Sequence, residues 1–206
     1  MTMTIPQANK PIAKLYTSVV DFHKTFLPAP PAIFDTDCLM RHHFFLHSEF
    51  IEYQEAKTRA EKADAILDML YFSLGACYQA KKNPVAVASG FGNLEKQLNL
   101  MRLYDVLKAI GELDALYYPK INLMLVFLWH REFPSSDLMK NFIIVHQANM
   151  LKACETENQA KATANKYQKI GIETTTKYIN KHFVVSRSSD GKVLKNYLWE
   201  PPILEL

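Results

Sequence analysis

Residues 46–56 read LHSEFIEYQEA. Leu, Glu, Gln and Ala favour a helix, and in a helix Glu49 and Glu52, three residues apart, share a face. At about 100° per residue, Glu49 is flanked by Phe45, Leu46, Tyr53 and Ala56, so at least one carboxylate points into an apolar arc. The next periodic stretch, ADAILDMLYFSLGA at residues 63–76, repeats the pattern, with Asp64 and Asp68 four apart and Asp68 bracketed by Ala65, Tyr71, Phe72 and Gly75. Consecutive helices joined by a short link, here near residues 58–61, pack antiparallel. Their facing sides are expected to gather Glu49, Glu52, Asp64 and Asp68. Carboxylates crowded into a partly buried site repel and lose solvation, a cost that a divalent cation offsets. An all-oxygen donor set suits Mg2+, with Mn2+ as a substitute, better than zinc, and Mg2+ held this way recruits phosphate oxygens. The competing reading is a pair of solvated acidic stripes beside Lys57, Arg59 and Lys62, and periodicity alone does not choose between them.

Glycine is scarce, at six residues, which leaves the long uninterrupted segments of an all-α protein between proline clusters at residues 28–31 and 201–202. Helices are expected over about residues 12–26, 38–57, 59–81, 94–113, 119–130 and 138–152 or beyond, the last opened by PSSD at 134–137 as turn and N-cap. The tail FVVSRSSDGKVLKNYLWEPPIL, at 183–204, combines a β-branched run with an SDG turn and reads as a short hairpin or extended arm. With 206 residues the chain suits a single domain. A net charge of +3 is too small to argue for nucleic acid. The three cysteines, Cys38, Cys77 and Cys154, form no CxxC, which points away from a disulfide framework or thiolate zinc and toward a reducing, cytoplasmic setting. No signal-peptide profile is expected, and even INLMLVFLW at 121–129 is too short for a membrane span.

Taken in order, DFHKTF (21–26), Arg41, SEFIEYQEA (48–56), DAILDMLYFSLGACYQ (64–79), FIIVHQANMLK (142–152) and DGKVLK (190–195) resemble the all-α nucleoside triphosphate pyrophosphohydrolases. The likeness is to the MazG-like and phosphoribosyl-ATP-pyrophosphohydrolase-like branch common in phages. It covers about residues 20–79 and 141–202, with 80–140 as a helical insertion and about 183–206 as a C-terminal arm of one domain, 1–206. The resemblance implies a helical bundle of the MazG-like type and Mg2+-dependent cleavage of an NTP or dNTP between the α and β phosphates.

In the family an EExxE motif and, one helix later, ExxD bind the metal. Carried over, these acids fall on Glu49, Glu52 and Asp68. Two positions depart, Ser48 for the first glutamate and Ala65 for the glutamate of ExxD, with Asp64 placed to supply the missing carboxylate. Glu52 or Asp64 is then the proton acceptor. The resemblance further implies Asn149 and Lys152 as phosphate-side ligands, Phe22 and His23 near the nucleobase, and a homodimer or homotetramer. Lys192 and Lys195, flanking a glycine turn, are candidates to close over a triphosphate. The alternative is a catalytically weakened nucleotide-binding or regulatory protein on the same fold. His42, His43, His47 and His130 lack the HExxH, HD or ExxH spacing of a histidine metal site and are read as structural.

Overall fold

The computed structural model describes residues 5–27, 36–85 and 118–206, and six helices and one two-stranded hairpin form among them. The expected proline-rich connection at 28–31, the helix at 94–113 and much of the 80–140 insertion lie outside the described residues. The chain divides into two compact units. One comprises Met1–Val19, Pro30–Ile143 and Leu204–Leu206, and the other Val20–Ala29 and Ile144–Ile203.

Helix α1 (Ile5–Phe26) begins seven residues before the expected start, with Pro11 inside it. Proline in a helix interior costs about 3 kcal/mol through the lost N–H and the clash with the preceding turn. Ala8, Ile12, Leu15 and Val19 recur every three or four residues and are fully buried, and such burial stabilises by about 1.5 to 3 kcal/mol for each large side chain, so the stripe outweighs the proline.

In the first unit α2 (Thr36–Glu55) and α3 (Arg59–Gln79) form the expected antiparallel pair. The start of α3 is fixed by a capping box. Glu61 N–H donates to Thr58 Oγ1 at 3.1 Å, and Glu61 Oε2 accepts from Thr58 N at 2.9 Å and Lys57 N at 2.7 Å. Those backbone donors hold the Glu61 carboxyl below its ordinary pKa. Helix α3 is buried on most of its circumference, because α2 covers one side and α4 (Tyr118–Glu132) another. Tyr71 stacks on Phe142 with ring centroids 5.5 Å apart. Several polar groups caught in this packing find partners, while Tyr118 Oη, Asn122 Oδ1 and Ser136 Oγ have none among the described residues. Ser73 Oγ donates to Tyr118 O at 3.4 Å, and Asn122 Nδ2 donates to Pro84 O at 3.0 Å. Trp129, fully buried, donates its indole N–H to Ser136 O. Asp137 caps α5 (Leu138–Met150) through Lys140 N, as the PSSD motif predicts.

The second unit departs more from the expectations. Helix α5 stops at Met150, where the chain turns (Lys152 N to Asn149 O, 3.1 Å), and a separate helix, α6 (Glu157–Gln168), opens at Thr156. The hairpin pairs β1 (Thr174–Ile179) with β2 (His182–Arg187), so its turn is Asn180–Lys181 and not the SDG sequence. Both turn residues have positive φ, 48° and 72°, as a two-residue primed turn requires. The SDG segment does reverse the chain, with Gly191 at φ 74°, but its return strand makes only an isolated bridge, Ser186 to Val193. Neighbouring Val185 and Val184 point to opposite faces of the hairpin. Val185 joins Cys154, Ala160 and Leu194 against α6, and Val184 joins Phe26 and Val193, with Phe22, Met150 and Ile179 packed around them.

Thr58→Ala should cost about 1 kcal/mol by removing the α3 cap, while Thr58→Ser should cost little. Urea unfolding followed by helical circular dichroism measures both.

Candidate carboxylate site and phosphate-side residues

Phe45 of α2 stacks on Phe72 of α3 with centroids 5.1 Å apart and planes 22° from parallel. In an antiparallel pair, one turn onward from Phe45 lies Glu49 and one turn back from Phe72 lies Asp68, so the stack brings these two carboxylates to the same level. Glu49 is only 3 % exposed, among buried Phe45, Leu46 and Phe50, and Asp68 is half-buried. Glu52 and Asp64 sit on the same two helices but are exposed. The structure therefore buries one of the four acids, half-buries a second opposite it, and leaves two at the solvent margin. Among the described residues there is no group of three or more His, Cys, Asp or Glu side chains able to hold a metal ion.

That geometry bears on the ion implied by the resemblance. A caged ion needs a converging set of protein ligands, whereas Mg2+ is usually held through one or two carboxylates and completed by waters and substrate phosphates. Glu49 and Asp68 fit the second mode, as an all-oxygen pair in apolar surroundings.

The two departures from the acidic pattern acquire structural meaning. Ser48 turns its hydroxyl back to its own helix, donating to Phe45 O at 2.9 Å. Ala65 is buried, so a longer side chain there would meet packed core, whereas Asp64 beside it is exposed.

Of the histidines near this site, His42 lies in the core, His43 at its margin and His47 at the surface. His42 is buried, its Nε2–H donates to Gln79 Oε1 at 2.9 Å, and its ring meets Tyr118 edge-on. Burial lowers its pKa, with Arg41 acting in the same direction and the Gln79 hydrogen bond opposing. His43 lies 6.3 Å from His47 between ring centroids and is also lowered by burial.

The phosphate-side candidates belong to the second unit. Asn149 is buried on the stripe of Phe142 and Val145, as helical spacing predicts. Lys152 is half-buried and lies beyond the end of α5, so the expected shared helical face does not extend to it. Lys192 has its backbone in the SDG turn, where its N–H donates to Asp190 Oδ1 at 3.0 Å. Arg187 pairs with the same carboxylate and holds it below its ordinary pKa. The Lys195 ammonium stands 3.9 Å above the Trp199 ring, a cation–π contact that engages its charge. Phe22 packs against the Phe26–Val184–Val193 cluster with its ring 6.1 Å from that of His23, which is buried. Sequence reasoning missed Trp199, whose indole N–H donates to Ala148 O at 2.8 Å, and Asn196, whose amide donates to Ala153 O at 3.0 Å. Their irregular, proline-flanked segment offers no periodicity that would reveal such contacts.

Compared with known proteins, the chain matches no family model, no curated protein and no solved structure.

A lowered histidine pKa means that the unfolded chain takes up the proton more readily than the folded one. The stability conferred by neutral His42 is thus complete above the unfolded value of about 6.5 and declines as pH falls below it. The thermal midpoint should drop between pH 7 and pH 5.5, and His42→Gln, which keeps an amide donor without a titrating ring, should flatten that slope. A set of melts across the pH series decides it.

Proposed function

We propose that the chain is a Mg2+-dependent nucleoside triphosphate pyrophosphohydrolase, cleaving an NTP or dNTP between the α and β phosphates to a monophosphate and pyrophosphate. The observation that carries this reading is Glu49, a carboxylate buried in an apolar wall and level with half-buried Asp68. A carboxylate in that position is further stabilised by a cation that meets it. Mg2+ bound with its triphosphate supplies charge neutralisation and an activated water.

Within this reading, Glu49 and Asp68 bind and orient the metal–phosphate group. Glu52 and Asp64, exposed on the flanks, are open to water, as a carboxylate that accepts a proton from the nucleophile must be. Asn149 and Lys152 are assigned to phosphate oxygens by the resemblance alone. Lys192, in the glycine turn, is a further candidate for the same phosphates, and the Lys195 ammonium faces Trp199.

A second reading, nucleotide binding with little or no turnover, is favoured by a specific observation. Ser48 and Ala65 stand where the family pattern has glutamates, and the acid that would compensate, Asp64, is exposed. Both readings require binding of a metal–triphosphate complex, and only the first requires pyrophosphate release.

Incubation with a panel of NTPs and dNTPs plus Mg2+ should release pyrophosphate and monophosphate from at least one of them. Glu49→Gln and Asp68→Asn should each abolish that release while leaving the helical circular dichroism signal intact; full activity in both variants would exclude this site. Asp64→Asn should be as damaging as Asp68→Asn if Asp64 replaces the missing ExxD glutamate. Binding without release in the wild-type chain selects the second reading. Lys152→Ala should weaken triphosphate binding more than monophosphate binding, because a charge-assisted contact worth about 1.5 to 3 kcal/mol would be lost at the distal phosphates. Equal losses in calorimetric titrations would remove Lys152 from the phosphate side.

A further inference from the structure

The hairpin is closed on one edge and open on the other. Along the outer edge of β2, Cys154 and Phe183 exchange backbone hydrogen bonds of 2.9 Å in both directions, and Leu194 N–H donates to Val185 O at 2.8 Å. The register of β1 against β2, continued by Ser188 N to Glu173 O, directs the backbone groups of the odd-numbered residues of β1 toward β2. Those of Thr174, Thr176 and Tyr178 therefore face outward. Among the described residues no backbone hydrogen bond reaches them beyond the strand pair. The strand is also exposed from Thr175 to Tyr178, with Tyr178 64 % exposed.

We propose that β1 is an assembly edge, through which two copies of this chain pair their β1 strands antiparallel and join their hairpins into one four-stranded sheet. Pairing about a twofold axis must set outward-facing residues opposite one another, which limits the register to steps of two in the sum of partner numbers. With the axis at Thr175, Thr174 and Thr176 of one copy exchange backbone bonds with Thr176 and Thr174 of the other. Glu173 then faces Lys177 across the interface, twice by symmetry, in the closely spaced non-hydrogen-bonded positions where opposite charges stabilise.

The neighbouring registers lose this match. An axis at Thr176 sets Lys177 against Thr175, an axis at Lys177 sets lysine against lysine, and an axis at Glu173 sets glutamate against glutamate. Lysine on an open edge ordinarily discourages strand addition. Here Glu173, four residues earlier on the same face and likewise exposed, converts that deterrent into a selector for one register with a second copy of the chain. A foreign extended peptide has no reason to carry an acid and a base at this spacing in the order that antiparallel pairing requires.

The test uses the full chain and is independent of turnover. Sedimentation over a concentration series should show reversible self-association that Lys177→Glu weakens about tenfold or more and that Lys177→Glu combined with Glu173→Lys restores. Thr175→Cys should form an intermolecular disulfide under mild oxidation, because residue 175 lies opposite its own symmetry mate; the wild-type chain and Ser189→Cys should not. Thr176→Pro, which removes one outward N–H on an edge strand, should reduce association as well. A chain that stays monomeric throughout, association indifferent to both Lys177→Glu and Thr176→Pro, or failure of the charge swap to restore it would each overturn the proposal.

Discussion

The ring stack of Phe45 on Phe72 sets the register of α2 against α3, and the placement of Glu49 opposite Asp68 depends on it. The link between the two helices is short and the start of α3 is fixed by the Thr58–Glu61 capping box, which limits how far α3 can shift along α2. Nor can it rotate freely. A one-residue slip turns a helix by about 100°, and α3 buries apolar side chains on most of its circumference, from Ala63 through Cys77. Asp68 is thereby held on the α2 side as firmly as the core residues around it. The carboxylate pair is a consequence of core packing and needs no polar scaffold of its own.

Buried polar groups elsewhere in the same unit put Glu49 in perspective. Asn141 both donates to Glu205 O and accepts from Glu205 N, tying down the chain end, and Asn122 reaches Pro84 O. The Asn141 amide is matched on both its ends to backbone groups, which is the usual way a protein tolerates burying one, whereas Asn122 has its Nδ2 engaged and its Oδ1 without a partner among the described residues. A carboxyl group differs from an amide in that, when ionised, it can hold a cation as well as accept hydrogen bonds. That is the physical ground for reading Glu49 as functional while reading the amides as structural.

Legibility in the sequence followed the width of each apolar stripe. Helix α3 was delimited to within two residues because its buried positions are nearly continuous, and Asp137 announced α5 through an ordinary capping residue. Helix α6 escaped because it buries only Ala160 and Thr163 fully, too narrow a stripe to give a period. Its one signal was the N-cap Thr156, whose hydroxyl accepts from Gln159 N, with the Gln159 side chain accepting from Glu155 N. The hairpin turn was hidden by Lys181, which occupies a positive-φ position where glycine would have advertised the reversal. At the site, spacing identified which acids share a helix face but not their depth, since the separation of buried Glu49 from exposed Glu52 depends on how far α3 covers α2.

The chain has two tryptophans, and the fold gives one to each unit. Trp129 is sealed in the first, against Phe133, whereas Trp199 in the second is half-buried, with an ammonium against its ring. A dry indole emits toward the blue, and one in contact with water and a cation toward the red with altered yield. The molecule thus carries a separate intrinsic fluorophore for each compact unit, and the order in which the two bands change during denaturation distinguishes concerted loss of structure from the independent opening of either unit, without any label.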